Sequence, residues 1–156
     1  MSTMYGNTNA DPRPVVPALG RHYGFTSDLA YLIVRVTAGL MLIPHGWVKL
    51  TGAGPAGVAA MLGRYGIPAP GAFAYLIMAL ETIGGVLIAI GLFTRPIAAL
   101  LVIEFLVIIF VAHWPKGYAV GAGGIEYPLM WGLILLAVLL RGGGPWSLDR
   151  KLGWEV

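Results

Sequence analysis

Seven ionisable side chains stand in stretches that are otherwise apolar: Arg35, His45, Lys49, Glu81, Glu104, His113 and Glu126. A charge at a bilayer centre costs about 2.5 kcal/mol or more, so such groups need a partner or a task. A quinone ring would need a hydrogen-bond donor for each carbonyl, a proton source and an apolar slot. His45 and His113 could donate, and Glu81 and Glu126, the candidate catalytic carboxyls, could handle the proton. Two histidines on different helices could instead hold a haem. His45, His113 and Glu126 together have the right chemistry for a divalent metal, but no His-x-x-x-His, Glu-x-x-His or phosphate loop fixes such a set, and no metal is predicted. The plainer reading of each histidine is an interfacial hydrogen-bonding residue, and of Lys49 and Lys116 a snorkelling cation. With no cysteine in the chain, disulfides, thiolate-held iron–sulfur clusters and thiol relays are excluded.

These side chains need helices to position them. The chain of 156 residues is 58% hydrophobic and 11% charged, against about half and a quarter in soluble domains. The net charge of +3 forms no basic run, which argues against nucleic acid as a partner. A membrane span needs roughly 20 apolar residues. Spans are expected at 29–50, 72–93, 96–114 and 125–141, with a short interfacial helix over 58–65. The fold class is all-α: an integral membrane four-helix bundle with short loops and an amphipathic C-terminal tail. Residues 1–28 form a polar extension without the apolar core of a signal peptide. Residues 142–156 form the interfacial tail, with Trp146, Leu148, Leu152 and Trp154 toward lipid.

Lys and Arg near the span ends divide into Arg13, Arg21, Arg95, Arg141, Arg150 and Lys151 on one side and Lys49, Arg64 and Lys116 on the other. The bias places both termini in the cytoplasm of a cell (inner) membrane. Glycines at 39 and 46, and at 84, 85 and 91, suit close helix packing.

Depth along the helices, at about 1.5 Å per residue, sorts the ionisable groups in two. Arg35, Glu81 and Glu104 form an internal structural ion pair, with Arg35 meeting one glutamate or the other. A carboxyl left without a partner there would titrate and could carry protons. His45, Lys49, His113 and Glu126 converge at an outer mouth and, with Glu81, form the candidate cofactor-binding set. Arg35, His45 and Lys49 share an arc of about 80° on one helix face. Tyr118, Tyr127 and Trp131 could supply an aromatic wall.

Arg35-x3-Gly39 followed by His45-Gly46-x2-Lys49 resembles the first span of the DoxX family. Glu81-x2-Gly84-Gly85, Gly91-Leu92-Phe93-Thr94-Arg95, the late His113, Gly124-x-Glu126 and Gly144-Pro145-x-Ser147-Leu148-Asp149 follow in the family's order, and the resemblance covers about residues 29–150. It implies a four-helix membrane protein linked to quinone-dependent redox complexes, with Arg35, His45, Lys49, Glu81 and Glu126 as the polar motif residues. The expected function is quinone binding, or service in a quinone-linked oxidoreductase or oxidase complex, and whether the chain is itself an enzyme stays open. The alternatives are a non-catalytic accessory subunit held to other membrane subunits or to copies of itself, and, further behind, a small transporter or proton pathway.

Overall fold

A computed structural model describes residues 16–154, with backbone alone over 17–21. The first fifteen residues of the expected extension, Arg13 among them, and residues 155–156 of the tail lie outside the described residues. Among the described residues there is no strand. Helix α1 runs Pro17–Val48, with proline in its first turn, where the missing N–H costs nothing. Residues 17–28, expected in the polar extension, are therefore the opening turns of α1. Nothing after Pro17 breaks the helix there, and the Thr26 hydroxyl donates back to the His22 carbonyl at 3.1 Å, satisfying itself within the helix.

The α1 helix widens into a π-helical turn, Lys49–Ala53, and the chain then turns at Gly54, whose φ of +65° favours glycine. Helix α2, Gly54–Arg64, packs Val58 and Leu62 against Ala74 and Met78 of the next helix. It is longer than the interfacial helix expected at 58–65, and one face of it is buried. Helix α3 spans Pro70–Ile90 and α4 spans Thr94–Lys116. Helix α5 is Glu126–Arg141, and the short α6 is Leu148–Leu152.

Three helical stretches, 22–64, 70–90 and 94–116, are long and apolar enough to cross a membrane. The first comprises α1 and α2 on either side of Gly54. Helix α5 has 16 residues, about 24 Å by its rise, and falls short of full spanning length. It completes the bundle against α4. Among the described residues the bundle thus has four helices, but three of them, one fewer than the four spans expected, have spanning length.

The bundle is apolar outside as well as inside, unlike a soluble one. Ala38, Leu42, Ile88, Ala98, Leu101, Leu135 and Val138 form the core that joins α1, α3, α4 and α5, while Ile33, Leu40, Ile103, Phe110, Leu133 and Leu140 face outward. Arg35 is 1% exposed and Leu140 72%. Lipid accepts the large apolar side chains, so association depends on close contact between small residues. The glycine stripes provide it. A Cβ on Gly39 would collide with the Gly85 carbonyl and the Ala89 backbone, and one on Gly46 with Thr82. These two crossings fix α1 antiparallel to α3, with residue 39 opposite 85–89 and 46 opposite 81–82.

That register decides which charges meet. Arg35 reaches the end of α3, and Lys49, 14 residues or about 21 Å further along α1, reaches Glu81.

Candidate functional site

The polar groups form two clusters at opposite ends of the bundle. At the first, Arg35 Nη1 donates to the carbonyls of Ile88 at 2.7 Å and Ala89 at 2.8 Å, and Nη2 donates to Trp146 O at 3.0 Å. The last carbonyls of a helix lack partners within it and carry the negative end of its dipole, so a guanidinium there closes α3 and ties down the tail. Asp149 does the converse for α4: its carboxylate accepts from Phe93 N at 2.7 Å, Thr94 N at 2.9 Å and Thr94 Oγ1 at 2.8 Å. Tyr31 OH bonds the Gly142 carbonyl. Gly91, at φ +72°, lies where a Cβ would meet Arg35 Nη1 at 2.5 Å and Ser147 Cβ at 2.6 Å.

The expected pairing of Arg35 with Glu81 or Glu104 is therefore corrected. Arg35 is bound by backbone carbonyls, because the glycine register carries it past Glu81 to the end of α3. The tail shows its expected apolar face in the exposed Trp146, Leu152 and Trp154, yet Ser147 and Asp149 on its other side are buried. It is anchored as well as interfacial.

The second cluster surrounds a cavity of about 240 Å³ between α1, α3, α4 and α5, lined by His45, Lys49, Glu81, His113, Tyr127 and Trp131 together with apolar residues. The lining runs from Met41 to Lys49 on α1 and from Phe105 to His113 on α4, which makes it about 12 Å deep by helical rise. Phe105, Leu42 and Trp131 form the floor. Val120, Gly123 and Gly124 of the α4–α5 loop border the mouth.

Each of three polar lining residues sits in a π-helical segment: Lys49 in Lys49–Ala53, Glu81 in Leu80–Gly84 and His113 in Ile108–His113. They are the three π segments among the described residues, and all open on this one cavity. A π turn inserts one residue per turn and redirects the side chains after it, and such turns gather at functional sites.

Lys49 and Glu81 form an ion pair, with Glu81 3% exposed. His113 Nδ1 lies 2.6 Å from the Gly123 carbonyl. A carbonyl only accepts, so Nδ1 carries the proton and Nε2 is left for other partners. His45 is at the exposed rim.

Of the candidate cofactor-binding set, His45, Lys49, Glu81 and His113 line the cavity and Glu126 does not. Its Oε2 accepts from Val120 N at 2.9 Å, and its own N–H donates to Tyr118 O at 2.9 Å. Glu126 thus braces the loop that borders the mouth, and Tyr118 stands with it on a neighbouring surface. With Glu126 so engaged, His45 and His113 lack their third ligand. Among the described residues no group of three His, Asp or Glu side chains could hold a metal ion.

Glu104 lies behind the cavity within electrostatic reach of Glu81 and Lys49. It is 7% exposed, and neither carboxyl oxygen has a hydrogen-bond partner among the described residues. The same holds for Trp131 Nε1. Composition pointed to Trp131 as an aromatic wall, but the solitary N–H and the π segments carry no signal in the sequence.

A sequence profile described as DoxX matches residues 30–114, more than half of the chain. The chain belongs to the DoxX family. The inner membrane protein YphA of Escherichia coli (strain K12) is 30% identical over 83% of this chain and 94% of its own length. A Bacillus subtilis (strain 168) protein named "Putative oxidoreductase CatD" is 32% identical over 71% of this chain and 79% of its own length. No solved structure matches the chain. The chain is an integral membrane protein, and the polar residues singled out in its sequence divide between the two clusters. Arg35 and Asp149 build the first, and His45, Lys49, Glu81 and His113 the second.

Proposed function

We propose that this DoxX protein binds the ring of a quinone in the cavity between its four bundle helices and serves a quinone-linked oxidoreductase complex in the inner membrane, with both termini cytoplasmic. The observation that carries the reading is the convergence of Lys49, Glu81 and His113, each on its own π segment, upon an apolar cavity that His45 joins at the rim. At about 240 Å³ the volume lies below the roughly 300–1,000 Å³ of drug-sized pockets. It suits a quinone head group of one or two fused rings and is too small for a haem. The relatives' names agree with the setting: one is an inner membrane protein, the other is named as an oxidoreductase.

A quinone accepts two electrons and two protons when reduced. In this chain the Lys49 ammonium, drawn to the cavity wall by Glu81, is a donor to a ring oxygen. His113, its Nδ1 proton committed to Gly123 O, presents Nε2 as the proton-exchanging atom. Glu81 balances the lysine charge, so the site gains a donor without a net charge in an apolar setting. The loop braced by Glu126 limits water at the mouth. Electrons reach the ring from a partner subunit or a soluble donor.

The test is extraction of the protein in mild detergent, with identification of bound lipids and proteins. Quinone recovered with wild type, and reduced at least tenfold in His113→Ala and Glu81→Gln, is expected. No bound quinone, and no binding when it is supplied, overturns the reading. A tightly held partner protein without quinone would instead favour an accessory subunit, for which the anchored tail is the supporting observation.

A further inference from the structure

His45, Lys49 and His113 lie in the mouth half of the cavity, and one feature of the floor has no structural explanation. Trp131 is 9% exposed and packs in the core with Leu101, Phe105 and Leu135. Its ring is set by an edge contact with Tyr127, with centroids 6.2 Å apart and planes at 72°, and it lines the cavity. Its Nε1 is buried without a hydrogen-bond partner among the described residues. Burying an unpaired donor is costly, and a phenylalanine would fill much of the same space without that cost. The other buried polar atoms in this condition belong to Arg35, Thr82 and Glu104, none of them in the polar cavity lining except through their neighbours. Among the described residues Trp131 alone joins burial, an unpaired polar atom and the cavity wall.

We propose that the Trp131 indole N–H is the anchoring donor at the cavity floor, and that the ligand therefore carries an acceptor oxygen on the ring edge remote from Lys49 and His113. The inference rests on the quinone reading above and adds to it a ligand orientation. An indole N–H donates and never accepts, so the floor selects a group with an acceptor oxygen and rejects an ammonium, which finds no acceptor there. Trp131 lies one helical turn deeper than Tyr127, about 6 Å by rise, while Lys49 and His113 stand near the mouth. A ring with oxygens on opposite edges meets a donor at each end of the slot. A ring with one oxygen uses one end and leaves the other unpaired.

The test compares menadione with 2-methylnaphthalene, which has the same skeleton without the carbonyl oxygens, on the full chain in lipid nanodiscs. Tryptophan is labelled with ¹⁵N at the indole, and the Trp131 resonance is identified by its loss in Trp131→Phe. Menadione is expected to move that N–H resonance downfield as a hydrogen bond forms, and 2-methylnaphthalene is not. Trp131→Phe should weaken menadione about five- to tenfold, leave 2-methylnaphthalene unchanged, and leave thermal stability equal or higher. Menadione bound equally by wild type and Trp131→Phe overturns the inference and leaves the quinone reading standing. Equal weakening of both compounds also overturns it, by assigning Trp131 to packing. Wild type that binds neither compound overturns the inference and the quinone reading together.

Discussion

At one end of the bundle Arg35 donates three hydrogen bonds through its Nη atoms and leaves its Nε unpaired, and Asp149 accepts three. At the other, Glu104 and Trp131 are buried with polar atoms unpaired, and three helices depart from α geometry. Both ends are rich in polar residues. The first spends its polar groups on closing the ends of α3 and α4 and seating the tail. The second leaves polar capacity uncommitted around a cavity. Polar density alone does not mark a functional site inside a membrane, and the state of satisfaction separates a brace from a binding place.

If this contrast is right, substitutions at the two ends should differ in sign and in readout. Asp149→Ala should have the largest effect, since it strands two backbone N–H groups and a hydroxyl. A loss of about 3 kcal/mol or more is expected, read by thermal unfolding in detergent, with ligand affinity of the surviving folded protein unchanged. Gly91→Ala should cost about 2–3 kcal/mol, because its backbone has positive φ and its Cβ would press on Ser147 and Arg35. Normal stability of either variant would break the picture of the brace.

At the cavity, Glu81→Gln should cost about 1–2 kcal/mol by leaving Lys49 without its counter-ion; the Lys49 side chain is 28% exposed, and water softens the loss. Combining it as Lys49→Met with Glu81→Leu should restore stability while binding stays lost, which separates the pair's structural value from its functional one. His113→Ala removes one hydrogen bond to the loop and should cost about 1 kcal/mol or less, yet reduce quinone affinity about tenfold. The smallest effect has the opposite sign. Glu104→Leu replaces two unpaired buried oxygens and should raise stability by about 0.5–1 kcal/mol. Destabilisation on that scale would mean that Glu104 belongs to the brace.

The sequence by itself determined that the chain is helical and membrane-embedded, because apolar runs of sufficient length have no other stable arrangement in lipid. It also determined which side chains are unusual: His45, Lys49, Glu81 and His113 were legible as a set because charged groups are rare in such runs. Glycine spacing announced close packing on α1 and α3. The partners of the charges were not legible. Arg35 and Glu81 are both compatible by type, and only the interlock of Gly39 and Gly46 with α3 sets the offset that sends Arg35 to Ile88 and Ala89 and gives Glu81 to Lys49. Glu126 looked equivalent to Glu81 in the chain, but the fold of the 117–125 loop turns it into a brace. The π turns and the unpaired Trp131 N–H belong wholly to the tertiary structure. Side-chain type and hydropathy are properties of one residue and its neighbours in sequence, whereas register and satisfaction depend on which backbones touch.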